Sequence, residues 1–345
     1  MECLLKQQEI PQGSCTTITA TGEKKKACEV TLRMKDGQYE RVITSRHLSR
    51  PEDYFSVYQS GCNHNCLKCH SSGFSKRVSG QWLSINKLAE EANRYLNYVT
   101  VFEPKKRLTM WHAEDLCLHC GSCWIKGTKS KYCPDKLSNN QITASPQGFG
   151  PARNILAFTG GDLTCNPLYY AKAAEKIKEE TNDKIKVLVE SNGYALTKEN
   201  LRILKDGRVD SFWLDIKAFN EDVYKKLCGT SNKTVLNSLE LISDFDFTVE
   251  VLTLFIPNYV ETDQHKKIAK LVADIDDEIP ITLLAFFPSY KLMNNRKPTF
   301  DEMMNSYTEI KGAGLKNIGL GNLGVFAETE EQLEKARSVR TGEEL

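Results

Sequence analysis

Seven of the chain's 12 cysteines fall in two tight groups. Cys62, Cys66 and Cys69 make a C-x3-C-x2-C run within Gly-Cys-Asn-His-Asn-Cys-Leu-Lys-Cys-His, so three thiolates converge on one small volume where disulfides would be badly strained. Cys117, Cys120, Cys123 and Cys133 make a C-x2-C-x2-C-x9-C run with Pro134 directly after it. In a chain of 345 residues with no export signal, such grouping reads as metal binding and not as a disulfide framework. The two runs differ in what they can hold. Three thiolates leave one iron of a [4Fe–4S] cluster open to a small molecule, whereas four thiolates close their cluster. Zinc competes at both sites: with His70 as fourth ligand the first run could be a zinc knuckle, while the two-residue gaps of the second suit iron–sulfur better than paired zinc knuckles.

The first run, with four further landmarks in order, resembles the radical S-adenosylmethionine (SAM) superfamily, and within it the activating enzymes of pyruvate formate-lyase and other glycyl radical enzymes. The loop from Gly61-Cys62-Asn63 to Cys69-His70 is similar to their cluster loop, and Thr159-Gly160-Gly161-Asp162 to the Gly-Gly-Glu that binds the SAM amino group. Glu190-Ser191-Asn192-Gly193 resembles their Asp-Thr-Asn-Gly, Leu214-Asp215-Ile216-Lys217 their Asp-Leu-Lys, and Ile256-Pro257-Asn258 their Val-Pro-Gly. The resemblance spans residues 55 to 325.

It implies a SAM-binding [4Fe–4S] cluster on Cys62, Cys66 and Cys69, with SAM contacted by Gly160, Gly161, Asp162, Glu190, Ser191, Asp215 and Lys217. It further implies reductive cleavage of SAM to a 5′-deoxyadenosyl radical that abstracts hydrogen, the work of an anaerobic oxidoreductase in which the cofactor carries the radical chemistry. Glu190, Ser191, Asp215 and the Trp213 backbone cover the place of a monovalent cation in the activase pattern, or are strand-end polar packing. The second run resembles a ferredoxin-like insertion and implies an auxiliary [4Fe–4S] cluster on Cys117, Cys120, Cys123 and Cys133, serving as electron relay or brace. The implied partners are a low-potential donor of the ferredoxin or flavodoxin type and a protein in which a glycyl radical forms. Two alternatives stand beside this: radical modification of another protein, a peptide or a small molecule, and a non-catalytic iron–sulfur electron carrier.

The chain also departs from the pattern. Lys68 stands where the family usually has an aromatic residue packed on adenine, Asp162 replaces Glu, and Leu163 replaces the following Pro. Residues 248–260 hold no Arg or His for the SAM carboxylate, which leaves Lys217 as its partner. The insertion carries cysteines for one auxiliary cluster where related activases usually have two. Cys165 follows the Gly-Gly-Asp turn and is either a hydrogen-atom donor at the radical cavity or a buried small hydrophobe. Cys3, Cys15, Cys28 and Cys228 read as structural.

These residues need a scaffold. Apolar β-patterned runs at Phe55–Gln59, Ile155–Phe158, Lys186–Glu190, Phe212–Lys217, Val249–Ile256 and Ile281–Phe287 alternate with helical segments, a βα-repeat pattern. Asn166-Pro167 starts one helix, Thr299 with Glu302 is a capping box for another, and Lys205-Asp206-Gly207 and Cys228-Gly229 read as helix ends. The expected fold is α/β, a partial (β/α)6 TIM-like barrel over residues 51–325 with its site at the C-terminal strand ends. Residues 1–50 form an N-terminal β-hairpin extension around Lys35-Asp36-Gly37, residues 100–150 the iron–sulfur insertion, and residues 326–345 a C-terminal helix or tail.

Composition sets the outer limits. At roughly 100 to 200 residues per domain the chain can bury a full core, and 40% hydrophobic with 26% charged residues excludes disorder and fibrous architecture. Lys plus Arg is 46 against 45 for Asp plus Glu, which removes the field expected of a dedicated nucleic-acid binder. The N-terminal residues lack a basic region followed by an apolar one, and no apolar run approaches a membrane span, so a cytoplasmic location is expected.

Overall fold

The computed structural model describes residues 3–341. Its centre is one long sheet. Nine strands follow one another across it: β1 (Leu32–Lys35), β2 (Gln38–Leu48), β3 (Phe55–Gln59), β4 (Ile155–Gly160), β5 (Lys186–Ser191), β6 (Ser211–Asp215), β7 (Thr248–Phe255), β8 (Ile281–Ala285) and β9 (Ile318–Gly321). From β3 to β9 every neighbouring pair is parallel. β1 and β2 form an antiparallel hairpin that continues the sheet past β3, and Gln81–Ser84 pairs with the free stretch of β2.

The parallel strands are apolar because helices cover the sheet and leave the strands no wet face. Ile155, Leu156, Ala157 and Phe158 of β4 are all fully buried, as are Val187 and Leu188 of β5. The crossover helices are α1 (Ile85–Leu96), α2 (Pro167–Glu180), α3 (Lys198–Asp206), α4 (Glu221–Cys228), α5 (Lys233–Asp244), α6 (Thr262–Ala273) and α7 (Phe300–Gly312), with α8 (Glu330–Thr341) after the last strand. Local chemistry sets their ends. Pro167 opens α2, where its missing N–H costs nothing. The Thr299–Glu302 capping box opens α7, and Gly229, left-handed at φ +79°, stops α4.

The sheet runs one parallel strand further than the six expected, since β9 lies beside β8. That strand is short and Gly-rich, so its period-2 signal is weak. Between α1 and β4 the rhythm breaks into single helical turns and a small hairpin of Thr143–Ser145 with Gly148–Gly150. The expected C-terminal helix is α8, and residues 342–345 lie outside the described part. Among the described residues no helix is long and apolar enough to cross a membrane.

Candidate active site

The C-x3-C-x2-C run leaves the C-terminal end of β3. The chain turns at Gly61 (φ +79°), where an added Cβ would meet Thr31 Oγ1 at 2.7 Å, so only glycine fits. Asn63 N then donates to the Asp162 carbonyl at 2.8 Å, Asn65 N to the Cys228 carbonyl at 3.0 Å, and Leu67 N to the Leu227 carbonyl at 2.7 Å. The loop is thus laced on one side to the Gly-Gly-Asp turn and on the other to the end of α4.

The thiols sit in an electropositive pocket. Cys66 Sγ is held down to about 6 by the Cys228 thiol beside it, aided by the charges of Lys217 and Lys76, a setting that favours the thiolate a metal needs. Burial pushes the Cys62 thiol up to about 11, while the His64 backbone N–H points at its sulfur from 3.4 Å. Cys69 Sγ lies 3.3 Å from Ser75 Oγ. His64 is fully buried, its ring held by Tyr224 OH at 2.9 Å and Asn63 Oδ1 at 3.1 Å, and burial pushes its pKa well down. It is a neutral histidine that braces the cysteine loop.

β4 delivers Gly160-Gly161-Asp162 to the same place. A Cβ on Gly161 would stand 2.0 Å from the Gly61 carbonyl oxygen, and Gly161 N donates to the Gln59 carbonyl at 2.9 Å. The glycine therefore lets two strand-end loops touch backbone to backbone. Asp162 takes four donors on its two oxygens: Thr164 N (2.7 Å) and Oγ1 (2.8 Å) on Oδ1, Ser191 Oγ (2.7 Å) and Asn192 N (2.9 Å) on Oδ2. That fills the roughly four lone-pair positions of a carboxylate. It joins the ends of β4 and β5, and Asn192 in turn donates to Asn63 Oδ1 at 2.6 Å.

The remaining site candidates line the same hollow but in separate pairs. Glu190 accepts from Tyr54 OH at 3.0 Å and from Thr159 Oγ1, Ser191 belongs to Asp162, and Asp215 pairs with Lys217. Burial pushes the Glu190 carboxyl up to about 8. Lys68 Nζ stands 4.2 Å from the centre of the Phe287 ring, and burial with the charge of Lys217 lowers it to about 8.

Around these groups lies a cavity of about 520 Å³ at the C-terminal ends of the strands, walled by residues of β4 to β9 and of the loop after β3, and including Cys62, Cys66, Cys69, Gly160, Asp162, Glu190, Asp215, Lys217 and Cys228. Its size is in the range of roughly 300–1,000 Å³ usual for small-molecule sites. Among the described residues no three Cys, His, Asp or Glu side chains already stand around one point as a metal would require, so the fit of a cluster and a nucleoside-sized ligand is judged from the donors and walls. Three soft thiols at a cavity wall suit an iron–sulfur cluster with an open face. Two lining groups, Glu52 Oε2 and Trp213 Nε1, are buried without a hydrogen-bond partner, as expected of walls that serve a polar guest.

The second cysteine run forms its own small hollow. Cys117, Cys120, Cys123 and Cys133 line it together, with Cys120 and Cys133 sulfurs 3.4 Å apart. Trp124 and Phe149 stack across its rim at 5.6 Å. Two ties fix this hollow to the barrel: His119 Nε2 hydrogen-bonds Asp53 Oδ1 at 2.8 Å, and the Trp111 backbone N–H donates to Glu250 Oε2 at 2.8 Å.

Sequence reasoning missed two residues. Arg41, fully buried on β2, donates to the carbonyls of Ser60, Gly61 and Gly161 and to Tyr170 OH, so the hairpin extension holds both loops. Cys228 lies beside Cys66 and lines the cavity, where only a helix end was expected. Of the two readings of Cys165, the buried small residue is the one observed: it is 3% exposed and is not among the residues lining the cavity. An isolated buried arginine is the one local signal available, since burying that charge demands partners.

Residues 117–272 match the family model of the radical SAM superfamily. The match takes in the Gly-Gly-Asp turn and the ends of β5 and β6 and begins after the first cysteine run. A Methanocaldococcus jannaschii protein provisionally named a glycyl-radical enzyme activating enzyme is 28% identical over 204 residues, 58% of this chain and 74% of that one. An uncharacterized protein of the same organism is 29% identical over 210 residues, and the chain spans 60% of its length. Among solved structures, a domain of a pyruvate-formate lyase-activating enzyme from Bacteroides vulgatus is 17% identical, with a TM-score of 0.40 over 48% of this chain and 98% of that one.

Proposed function

We propose that the radical SAM domain of this chain makes it an activating enzyme that generates a radical in a partner protein. One observation carries the reading: a single cavity at the strand ends joins the three thiols of the first run to the Gly-Gly-Asp turn and to the polar ends of β5 and β6. In the reading, Cys62, Cys66 and Cys69 hold a [4Fe–4S] cluster with one open iron, and SAM binds in the cavity. When bound, the pair supplies reductive cleavage of SAM and a 5′-deoxyadenosyl radical able to abstract hydrogen.

The chain's own residues do the rest. Arg41 and Gly161 keep the cysteine loop and the Gly-Gly-Asp turn in register, which sets where the SAM methionine part lies relative to the thiols. Lys217 and Lys76 compensate thiolate charge at Cys66. Asp162 puts a fixed negative charge on the cavity wall near the place of the SAM ammonium, and Lys217 offers a cation for the carboxylate. Glu190 and Asp215 flank that position and would take a monovalent cation. The apolar strand ends, with Leu252, Leu254 and Phe287 in the wall, exclude water from the reacting groups.

The second run is assigned an auxiliary [4Fe–4S] cluster, passing electrons inward from a low-potential donor. A second reading has one observation in its favour: Lys68, pointing into the cavity over Phe287, would suit an anionic small-molecule substrate.

The test is anaerobic reconstitution followed by dithionite reduction with SAM. About eight irons and formation of 5′-deoxyadenosine support the reading, and a glycyl radical signal after addition of a candidate partner completes it. Absence of cleavage in a fully loaded, reduced sample overturns it. Cleavage with turnover of a small anion in place of a protein decides for the second reading.

A further inference from the structure

The two cysteine runs attach at opposite ends of one strand. Cys62 follows the C-terminal end of β3, whereas His119, inside the second run, bonds Asp53 just before the start of β3. At roughly 3.3 Å per residue that five-residue strand spans about 15 Å. Other strand starts hold the insertion too: Asn154 N, next to β4, donates to the Val101 carbonyl at 3.0 Å, and Thr248 Oγ1, at the first residue of β7, to the Lys105 carbonyl at 2.8 Å. The outer surface of the second run is apolar at its centre. Trp124 and Ile125 are 50% and 75% exposed, and Phe149, stacked on Trp124, is 44% exposed. A Cβ on Gly121 would stand 3.4 Å from Ile125 Cδ1, so Ile125 lies over the turn directly after the exposed Cys120. Charge there is one-sided: residues 124–136 hold four lysines and one acid, Asp135. Lys131 pairs with Glu334, while Lys126, Lys129 and Lys136 are exposed and have no ion-pair partner among the described residues.

We propose that this face, with Trp124, Ile125 and Phe149 at its centre and Lys126, Lys129 and Lys136 at its edge, is the docking surface for a small acidic electron-donor protein. The proposal rests on the reading of the second run as an iron–sulfur site fed by a low-potential donor, and adds where that donor sits and what charge it carries. Shielding of the thiols accounts for Trp124 and Phe149, which line the hollow, but not for Ile125, which does not line it and is the most exposed of the three. An apolar, aromatic centre inside a charged edge is the anatomy of a protein interface. The charge then selects the partner. Over the whole chain bases and acids balance at 46 to 45, so the unpaired lysines stand out as a local feature. They attract an acidic partner and speed its encounter. A second copy of this chain fits less well, since a two-fold contact sets the same patch against itself and would bring lysines together. The patch is small, in keeping with electron-transfer complexes, which bury less than about 1,200 Å².

A donor seated here covers Cys120 and stays at the N-terminal ends of the strands, so it and a molecule entering the cavity at the C-terminal ends use opposite ends of the barrel. The docked donor gives up one electron, its oxidation matched by reduction of the outer centre, and no bond is made or broken.

The experiment measures binding of two acidic probes, a flavodoxin and a [4Fe–4S] ferredoxin, to the full chain reconstituted anaerobically, at low and high salt. The variants are Lys126→Glu with Lys136→Glu, Ile125→Asp, and, as a control on α3 and α5, Lys198→Glu with Lys233→Glu. At least one probe should bind the wild type, and more weakly as salt rises, a result that needs no variant to fold. K126E/K136E should slow association at least about tenfold, I125D should weaken binding about tenfold with the salt dependence kept, and K198E/K233E should bind as the wild type does. Absence of binding to both probes, equal losses in K126E/K136E and K198E/K233E, single-stranded RNA bound as tightly as the better probe, or a wild-type dimer that I125D turns into a monomer each overturns the assignment. Dithionite needs no docking face, so SAM cleavage driven by it reports on the activating-enzyme reading alone. An iron count short of two clusters marks failure of the relay reading, whereas full iron without specific binding marks failure of this one.

Discussion

Arg41 Nη2 donates to the Gly161 carbonyl at 2.8 Å while also reaching the carbonyls of Ser60 and Gly61. One buried guanidinium on the hairpin thus stitches together the loop that holds three thiols and the turn that follows β4. The planar fork of arginine can serve several carbonyls at once, which an ammonium cannot.

Replacing Arg41 by Met should leave at least one buried carbonyl without a donor, costing about 1–3 kcal/mol each. The expected result is a melting temperature several degrees lower and 5′-deoxyadenosine formation reduced at least tenfold with cluster iron retained. Arg41→Lys should recover part of the stability and less of the activity. Unchanged activity in R41M would show that the two loops keep their register without it.

Cys228 makes a second, separate prediction. Hydrogen bonds to cluster-ligating sulfurs stabilise the reduced state and raise the potential. Cys228→Ala removes the thiol beside Cys66; if that thiol donates to a ligating sulfur, the loss is about 0.5–1.5 kcal/mol, which for a one-electron couple is roughly 20–65 mV. Redox titration followed by electron paramagnetic resonance should show the first cluster shifted downward by that order with its iron intact, whereas Cys66→Ala should lose the cluster.

The landmarks that were legible in sequence are those whose chemistry is local. The six expected strands appear within two residues of their expected bounds, because a strand buried on both faces is written as an uninterrupted apolar run. The Thr299–Glu302 box and the Cys228-Gly229 stop are likewise local. Arg41, Cys228 and the tie from Leu4 N to the Cys165 carbonyl were not legible, since each acts on a residue more than a hundred positions away and none is marked by spacing. Cys165 is instructive: its place after Gly-Gly-Asp left both a cavity position and burial open, and the structure gives burial, because Asp162 turns inward to Ser191 and Asn192 while the next residues lead the chain away, to the N-terminal segment.

Stability should depend on pH through Glu250. Its carboxyl is fully buried, pushed up to about 7 by that burial although Trp111 N and Thr282 Oγ1 donate to it. A folded pKa above the unfolded value means that the unfolded chain loses the proton first. The stabilisation is therefore fully present below about 4.5 and is lost as pH rises to about 7. Thermal unfolding of the metal-free chain should show a melting temperature falling across that window, and a flatter profile in Glu250→Gln. Equal slopes in both would assign the dependence to other groups.

Gly161→Ala tests the close approach of the loops. Its new Cβ would overlap the Gly61 carbonyl oxygen, so one loop must shift, and displacements near 1 Å are enough to cost about 100-fold in rate. Cleavage of SAM should fall by that order while far-ultraviolet dichroism stays native.

The two cysteine runs each hold one buried thiol, Cys66 at 8% and Cys133 at 7% exposure, but only the second run has an exposed one, Cys120. A soluble donor and molecular oxygen both meet the outer run first. Under the proposed two-cluster reading, brief exposure to air should therefore bleach the outer centre ahead of the inner one, and a damaged molecule would keep its inner cluster while losing its proposed connection to the reductant.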